Sequence, residues 1–230
     1  MNEKYGIWRH AGDNKELKNI KISEIKEGEL LIETEYYLKN VKSKFNISFL
    51  IFGNGEIKIC NHFIPGIKGL PDLPRFGMSF IFDKRYNNIE YYGRGPHENY
   101  CDRNTSSFVG IYKSTVKDQY FPYARPQENA YKTDTRWLEL SDKNGNGIKI
   151  SGLPVFSFSA LHFSNDDFDQ LTKANSKHLN DINSRKEVYL NIDLKQMGVG
   201  GDDSWGAKPH EQYRIPAKEY KFCFKITPIK

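Results

Sequence analysis

The sequence lacks long apolar runs. No stretch of its 230 residues approaches the roughly 18 consecutive apolar residues of a transmembrane helix, so we expect no membrane span. Residues 1–4 contain no apolar segment, so no signal peptide is expected in the chain as given. Linkers, low-complexity runs and clear internal repeats are also missing, which favours a single domain over residues 1–230.

Cysteine is scarce as well. Cys60, Cys101 and Cys223 are too few and too widely spaced for a disulfide framework or a CxxC metal site. Their odd number favours reduced thiols. A chain of this length can bury enough surface to fold without a metal or a disulfide, so neither is required.

Neither sign of charge dominates. Lys and Arg number 34 and Asp and Glu 29, which gives a net charge of +5. The lysines alternate with apolar residues, as in residues 221–225, and this is typical of a solvated strand face rather than a nucleic-acid-binding stripe. We therefore expect no nucleic-acid partner. The hydrophobic share is only 38%, but 14% of the residues are aromatic and supply the apolar area for a core.

The apolar residues mostly alternate, with a period of two. This predicts antiparallel strands, and Asn-Gly turns at 54–55 and 144–145 predict hairpins. The predicted fold class is all-β, with two stacked antiparallel sheets and one short helix at residues 164–179, begun by a capping box of Ser164 and Asp167. The predicted strands are 29–38, 44–52, 56–64, 78–82, 89–92, 137–140, 147–150, 155–161, 188–192 and 220–226.

Three long loops interrupt these strands, and long loops in a compact β domain often bind ligands. The loop at 93–108 contains G-x-G, but Pro96 removes a backbone donor, so a dinucleotide site is rejected. Its polar residues could bind a polyol. The structural alternative is favoured, in which the acids of the loop pair with its arginines: Glu98 and Asp102 with Arg94 and Arg103.

The other two loops carry further candidates. Within 119–136, Arg125 and Glu128 are candidates for a buried ion pair or for contacts to sugar hydroxyls, although a rigid connecting loop is the favoured interpretation. Within 197–209, Asp202 and Asp203 precede Trp205 on a glycine-rich stretch. An indole on such a loop offers a flat apolar face to a pyranose ring, and the two acids could bind its hydroxyls. The alternative interpretation, in which the Trp205 side chain folds back into the core, is equally open at this point.

Several motifs occur in a characteristic order. They are Leu73-Pro74-Arg75-Phe76-Gly77-Met78, the run G-x-G-P-x-E-N-Y-x-D-R over 93–103, Pro126-Gln127-Glu128-Asn129, Asn191-Ile192-Asp193, and GVGGDDSW over 198–205. Their order and spacing resemble the C-terminal domain of the large bacterial β-galactosidases of glycoside hydrolase family 2. The resemblance spans essentially the whole chain, and it is loosest over the first seventy residues.

The resemblance implies a galactose mutarotase-like supersandwich that forms the C-terminal part of a larger multidomain β-galactosidase. That enzyme would hydrolyse terminal β-D-galactose residues of galactosides such as lactose. Its two catalytic glutamates lie on a TIM barrel, so no catalytic residue is expected in this chain, and the isolated chain is expected to be inactive. Trp205 would form part of the galactoside-binding platform.

The resemblance also implies partners and cofactors. The partners would be a galactoside and the remaining domains of the parent enzyme, which could form a homo-oligomer in the bacterial cytoplasm or periplasm. The parent enzyme could use Mg²⁺ and Na⁺, but no metal ligand cluster is expected here.

Two alternatives remain. The implied relation in fold to galactose mutarotases suggests an aldose 1-epimerase, which needs a His acid and a Glu base. A stand-alone carbohydrate-binding module would instead use Trp205, Arg125 and Glu128. Either could draw on a polar cluster on the concave sheet face, composed of Arg75, His97, Glu98, Arg125 and Glu128.

Overall fold

The structure is a computed structural model that describes residues 5–169, 177–203 and 205–230. Eleven strands account for most of the described chain. They are β1 (Lys15–Lys26), β2 (Glu29–Leu38), β3 (Ser43–Phe52), β4 (Ile57–Ile64), β5 (Arg75–Phe82), β6 (Asn88–Gly95), β7 (Phe108–Thr115), β8 (Lys132–Ser141), β9 (Gly147–Leu161), β10 (Val188–Gln196) and β11 (Tyr220–Ile229).

All neighbouring strands pair antiparallel, in the order β1-β2-β3-β4-β11-β9-β8-β6-β7. The long strand β9 also pairs with β10, which in turn pairs with β5. The first half of β9 faces β11, from Gly147 to Leu153, and its second half faces β10, from Ser157 to Leu161. The expected all-β antiparallel fold is therefore confirmed, but its layers are joined into one hydrogen-bonded sheet because β9 belongs to both.

Aromatic side chains hold the two layers together. The rings of Phe80 on β5 and Phe224 on β11 lie 6.1 Å apart, and those of Phe76 and Tyr220 lie 5.7 Å apart. Because β5 and β11 share no hydrogen bonds, these contacts are made between layers rather than within one. The fourteen per cent of aromatic residues thus supply the core, as the composition indicates.

Two strands were not predicted, and both lie at the ends of the sheet. Strand β1 carries Ile20 and Ile22 at 53% and 61% exposure, so its alternation does not separate a buried face from a solvated one. Strand β7 likewise exposes Ile111. Edge strands lack a covering layer, and the period-two signal depends on having one buried face.

The helical segments also differ from the prediction. Residues 170–176 of the predicted helix lie outside the described residues. Its start is a 3₁₀ turn, Asn165–Asp167, and the predicted capping box is present, with the backbone N–H of Ser164 donating to Asp167 at 2.7 Å. The one α-helix among the described residues is α1 (Val116–Gln119), which is capped by Thr115. No described helix is long and apolar enough to cross a membrane.

The expectation of reduced thiols is wrong for two of the three cysteines. Cys60 on β4 and Cys223 on β11 are direct partners in the sheet register and form a disulfide. They are 163 residues apart in sequence, so only the strand pairing brings them together. Cys101 is a free thiol, and burial raises its pKa to about 11.

Candidate functional site

Trp205 is almost fully exposed. Its exposed fraction is 94%, the highest of any exposed large hydrophobic residue in the described chain. The loop around it is shaped by Asp203, whose Oδ1 accepts hydrogen bonds from the backbone N–H groups of Trp205 and Ala207 at 2.7 and 3.2 Å. These backbone hydrogen bonds lower the pKa of Asp203. Asp203 is thus engaged with its own loop, and the exposed Asp202 pairs with His210 at 2.8 Å.

The base of this loop rests on a second loop. The Asp102 Oδ2 atom, in the 93–108 loop, accepts a hydrogen bond from the backbone N–H of Gly200 at 2.7 Å. A Cβ at Gly198 would lie 2.5 Å from the same oxygen, so only glycine permits this approach. Sequence reasoning placed Asp102 with an arginine and missed this role. The glycine content of 198–201 was the available signal for a close contact.

A buried polar network lies at the start of the Trp205 loop. Arg75 on β5 forms an ion pair with Glu128 at 3.0 Å and also donates to the Gln196 side chain, at the end of β10. Its Nε lies 3.5 Å from the buried carboxylate of Asp193, which also accepts a hydrogen bond from Tyr131 at 3.1 Å. This network fixes the point at which the chain leaves β10 for the loop.

Burial dominates the titration of this network. Burial raises the pKa of Asp193 to about 6, although Arg75 and the Tyr131 hydroxyl favour its ionised form. Burial alone would lower the pKa of Arg75, but the carboxylates of Asp193 and Glu128 outweigh it and raise that pKa. Arg75 is therefore a permanent cation between two acids, and neither acid is a free carboxylate.

Glu98 is held by its own surroundings. Its carboxylate accepts hydrogen bonds from Arg103 at 2.9 Å, from the backbone N–H of Ala130 at 2.8 Å and from the Tyr123 hydroxyl. The predicted pairing of Glu98 with an arginine of its loop is present. The predicted partner of Asp102 is not, because Arg94 pairs with Asp134.

The structure brings some predicted residues together and separates others. Glu98 and the Arg75–Glu128 pair are linked by the stacked rings of Tyr100 and Tyr131, whose centroids are 5.6 Å apart. His97 is exposed at the rim of a cavity beside Glu98, and Arg125 is exposed. Glu128 forms its ion pair with Arg75, because the N-terminal end of β5 lies against the loop that carries Glu128.

Three further polar residues at this site were not recognised from sequence. They are Asp193 and Tyr131, which are in the network, and Lys132, which is buried next to it. The signal for Asp193 was a charged residue inside the apolar run of β10. Tyr131 and Lys132 carried no comparable signal, because a Tyr-Lys pair before a strand is ordinary.

This arrangement does not resemble a hydrolytic centre. Retaining glycosidases need one protonated and one ionised carboxyl across the scissile bond. Here Glu98 and Glu128 are each paired with an arginine, and Asp203 caps backbone N–H groups. Among the described residues no group of three or more His, Cys, Asp or Glu is arranged to hold a metal ion.

The fold and the loop define a class: an all-β antiparallel domain that exposes an indole on a glycine-rich loop. A model of the β-galactosidase small chain family matches residues 1–226, and the chain belongs to that family.

Individual relatives agree with the family match. The chain is 33% identical over 230 residues to a β-galactosidase of Priestia megaterium, covering all of this chain and 22% of the relative. It is 29% identical over 225 residues to a β-galactosidase of Streptococcus thermophilus, covering 96% of this chain and 21% of the relative. The chain thus spans about a fifth of the length of these curated relatives.

Solved structures give weaker likenesses. A family 36 α-galactosidase of Geobacillus stearothermophilus matches 94% of this chain and 28% of its own, with a TM-score of 0.49 and 8% identity. A putative aldose 1-epimerase of Escherichia coli matches 92% of this chain and 68% of its own, with a TM-score of 0.43 and 10% identity. At these scores neither likeness carries an argument about function.

Proposed function

We propose that this chain is the C-terminal domain of a β-galactosidase and contributes an active-site loop whose Trp205 supports the galactose ring. The parent enzyme hydrolyses terminal non-reducing β-D-galactose residues of galactosides such as lactose. The partners of the chain are the galactoside and the remaining domains of the parent enzyme. The assembled enzyme is a homo-oligomer in the bacterial cytoplasm or periplasm. The support is the family match over residues 1–226, together with a chain that is about a fifth as long as its relatives.

One observation carries the role of Trp205: a large indole is 94% exposed on a loop that is fastened at its base. Exposing an indole to water is unfavourable unless it serves an interface or a ligand. The Gly200–Asp102 and Arg75–Gln196 hydrogen bonds hold the base of the loop in one conformation. The loop therefore loses less conformational entropy when a sugar binds.

The hydrolytic groups and any Mg²⁺ or Na⁺ belong to the remaining domains in this proposal. Glu98 and Glu128 of this chain are each engaged in an ion pair with an arginine, which does not suit an acid–nucleophile pair. Trp205 therefore acts by shape, with a stacking contribution of about 1 kcal/mol.

The test is made in the enzyme assembled from this chain and its remaining domains. Trp205→Ala is expected to raise KM for a galactoside about 5-fold, because 1 kcal/mol corresponds to about that ratio. Phe108→Ala is the matched control, since Phe108 is also an exposed aromatic residue but lies on β7. Wild-type kinetics for Trp205→Ala would refute the platform role.

The two alternative functions have their own tests. An epimerase needs a free Glu base near a His acid, whereas Glu98 is engaged by Arg103 and Ala130, and both His162 ring nitrogens contact oxygens of other residues. Polarimetry of fresh α-galactose with the chain is therefore expected to show no acceleration of mutarotation. A binding module built on Trp205 requires that sugar binding by the isolated chain is lost in Trp205→Ala.

A further inference from the structure

A cavity of about 560 Å³ lies away from the Trp205 loop. Its wall is formed by the turn at 96–98, the segment 118–121 with Tyr123, and side chains from β6, β7 and β8. None of the described residues in 196–206 lines it. Its volume falls within the roughly 300–1,000 Å³ of ordinary small-molecule sites.

Three buried polar side chains line this cavity without full hydrogen-bonding. The Tyr91 hydroxyl and the Gln119 Oε1 atom have no hydrogen-bond partner among the described residues, although these residues are only 1% and 8% exposed. Lys132 is 2% exposed, and its Nζ donates to the Ala130 carbonyl at 3.2 Å, which uses one of three N–H donors. Buried polar groups are normally satisfied, so three such groups around one cavity indicate a ligand.

The backbone makes room for this arrangement. A Cβ at Gly95 would collide with the Tyr91 hydroxyl, so glycine at that position gives the hydroxyl room beside the backbone. Gly95 precedes the 96–98 turn that forms one wall. The glycine of the G-x-G motif, which no dinucleotide explains, thus shapes the cavity.

The remaining walls are aromatic. Phe121 and Tyr123 lie with ring centroids 4.6 Å apart, and Tyr120 is beside them. Aromatic faces with a few convergent donors and acceptors are typical of sites for sugars and other polyols, which present C–H faces and hydroxyl edges together.

The lining charges give no net attraction for an anion. Arg103 is paired with Glu98 and Lys113 with Glu90, and the remaining Lys132 is offset by Asp118. Burial lowers the pKa of Lys132 to about 8, while Glu98 favours its charged form, so the lysine is less firmly cationic than a surface amine. A neutral hydroxylated ligand can accept from Lys132 and donate to Gln119 without an unpaired charge.

We propose that this cavity is a second binding site, separate from the Trp205 loop, that takes a neutral mono- or disaccharide through Lys132, Tyr91 and Gln119. The inference does not depend on the proposed galactosidase role, since every group that it uses lies in this chain.

The test is calorimetric titration of the chain with galactose, glucose, lactose and, as an anion probe, inorganic phosphate. Saturable binding of at least one sugar and none of phosphate is expected. Lys132→Met is expected to weaken sugar binding at least about 10-fold, and Tyr91→Phe about 5-fold, because each removes a buried hydrogen-bonding group and leaves the side-chain volume nearly unchanged. If Lys132→Met does not fold, Tyr91→Phe decides.

Two control variants locate the binding. Tyr92→Phe removes a hydroxyl from the neighbouring residue, which points to the other face of β6 and does not line the cavity, and it is expected to bind as the wild type does. Trp205→Ala is also expected to keep this binding. The proposal is overturned if no sugar binds, if phosphate binds instead, if folded Lys132→Met and Tyr91→Phe bind normally, or if Trp205→Ala abolishes binding.

Discussion

The Trp205 loop (residues 197–209) and the cavity lined by Lys132, Tyr91 and Gln119, here called the Lys132 cavity, present aromatic and polar groups in opposite ways. The loop exposes 94% of its indole, and its acids are engaged in shaping the backbone. The cavity encloses its polar groups and leaves two of them without partners among the described residues. Under the proposed function the loop needs other domains to become a site, whereas the cavity has walls of its own.

This difference separates two ways in which a domain can serve an enzyme. A fastened loop contributes shape to chemistry performed elsewhere, and its own stability does not depend on the ligand. An enclosed cavity with a buried amine is costly to the fold without a ligand, because buried polar groups lose hydration.

The largest contrast is in hydrolysis. The purified chain is expected to show no turnover of a chromogenic galactoside, because Glu98 and Glu128 are each paired with an arginine and are therefore poorly suited to act as acid and nucleophile. A spectrophotometric assay checks this expectation. Turnover that disappears in Glu98→Gln or Glu128→Gln would place the chemistry in this chain and contradict the account.

Lys132→Met is expected to stabilise the chain by about 1–3 kcal/mol at pH 7, while it weakens sugar binding. The lysine pKa is about 8 in the folded chain, below its ordinary value of 10.5. Below pH 8 the lysine is protonated in both folded and unfolded chains, and the full burial cost is present. From about pH 8 to 10.5 only the unfolded chain stays protonated, so wild-type stability rises with pH.

Urea unfolding at several pH values measures this effect. The advantage of Lys132→Met over the wild type should shrink between pH 8 and 10. A variant that is less stable at pH 7 would show that the amine is fully compensated within the fold.

Asp193 changes the free energy of unfolding with pH in the opposite direction, by about 1–3 kcal/mol. Its pKa is raised to about 6 from 3.8, so between about pH 4 and 6 the folded chain keeps a proton that the unfolded chain has lost. The contribution of Asp193 to stability therefore falls as pH rises through this window. Asp193→Asn should remove this component of the pH profile, and an unchanged profile would contradict the assignment.

Asp102→Asn tests the fastening of the Trp205 loop. Replacing the carboxylate weakens the charge-assisted hydrogen bond from Gly200, with an expected cost of about 1 kcal/mol. Limited proteolysis within 198–206 should become faster, and binding in the Lys132 cavity should not change. Equal proteolysis rates in the variant and the wild type would show that other contacts hold the loop.

The sequence predicts the central strands well because they have one buried face. Strand β2 agrees residue for residue with the predicted 29–38, and the Asn54-Gly55 turn joins β3 and β4 as expected. Strands β1 and β7 escape prediction because edge strands expose apolar residues on both faces. The Cys60–Cys223 disulfide escapes because it depends on the register of strands far apart in sequence.

The candidate site was predicted in its parts but not in its connections. The glycine-rich polar stretch around Trp205 left an exposed indole and one folded into the core equally open, and the structure shows the exposed one. The pairing of Glu128 with Arg75 was not predicted, because nothing local places β5 against the 119–136 loop. Lys132 has an ordinary sequence context, and only the packing of β8 shows that it is buried.

The most direct test of the central claim is a crystal structure of the assembled enzyme with a bound galactoside. The Trp205 indole is expected to lie in contact with the galactose ring, within about 4.5 Å, while both catalytic carboxyls come from other domains. A galactose ring bound out of contact with Trp205, or flanked by Glu98 and Glu128, would contradict it.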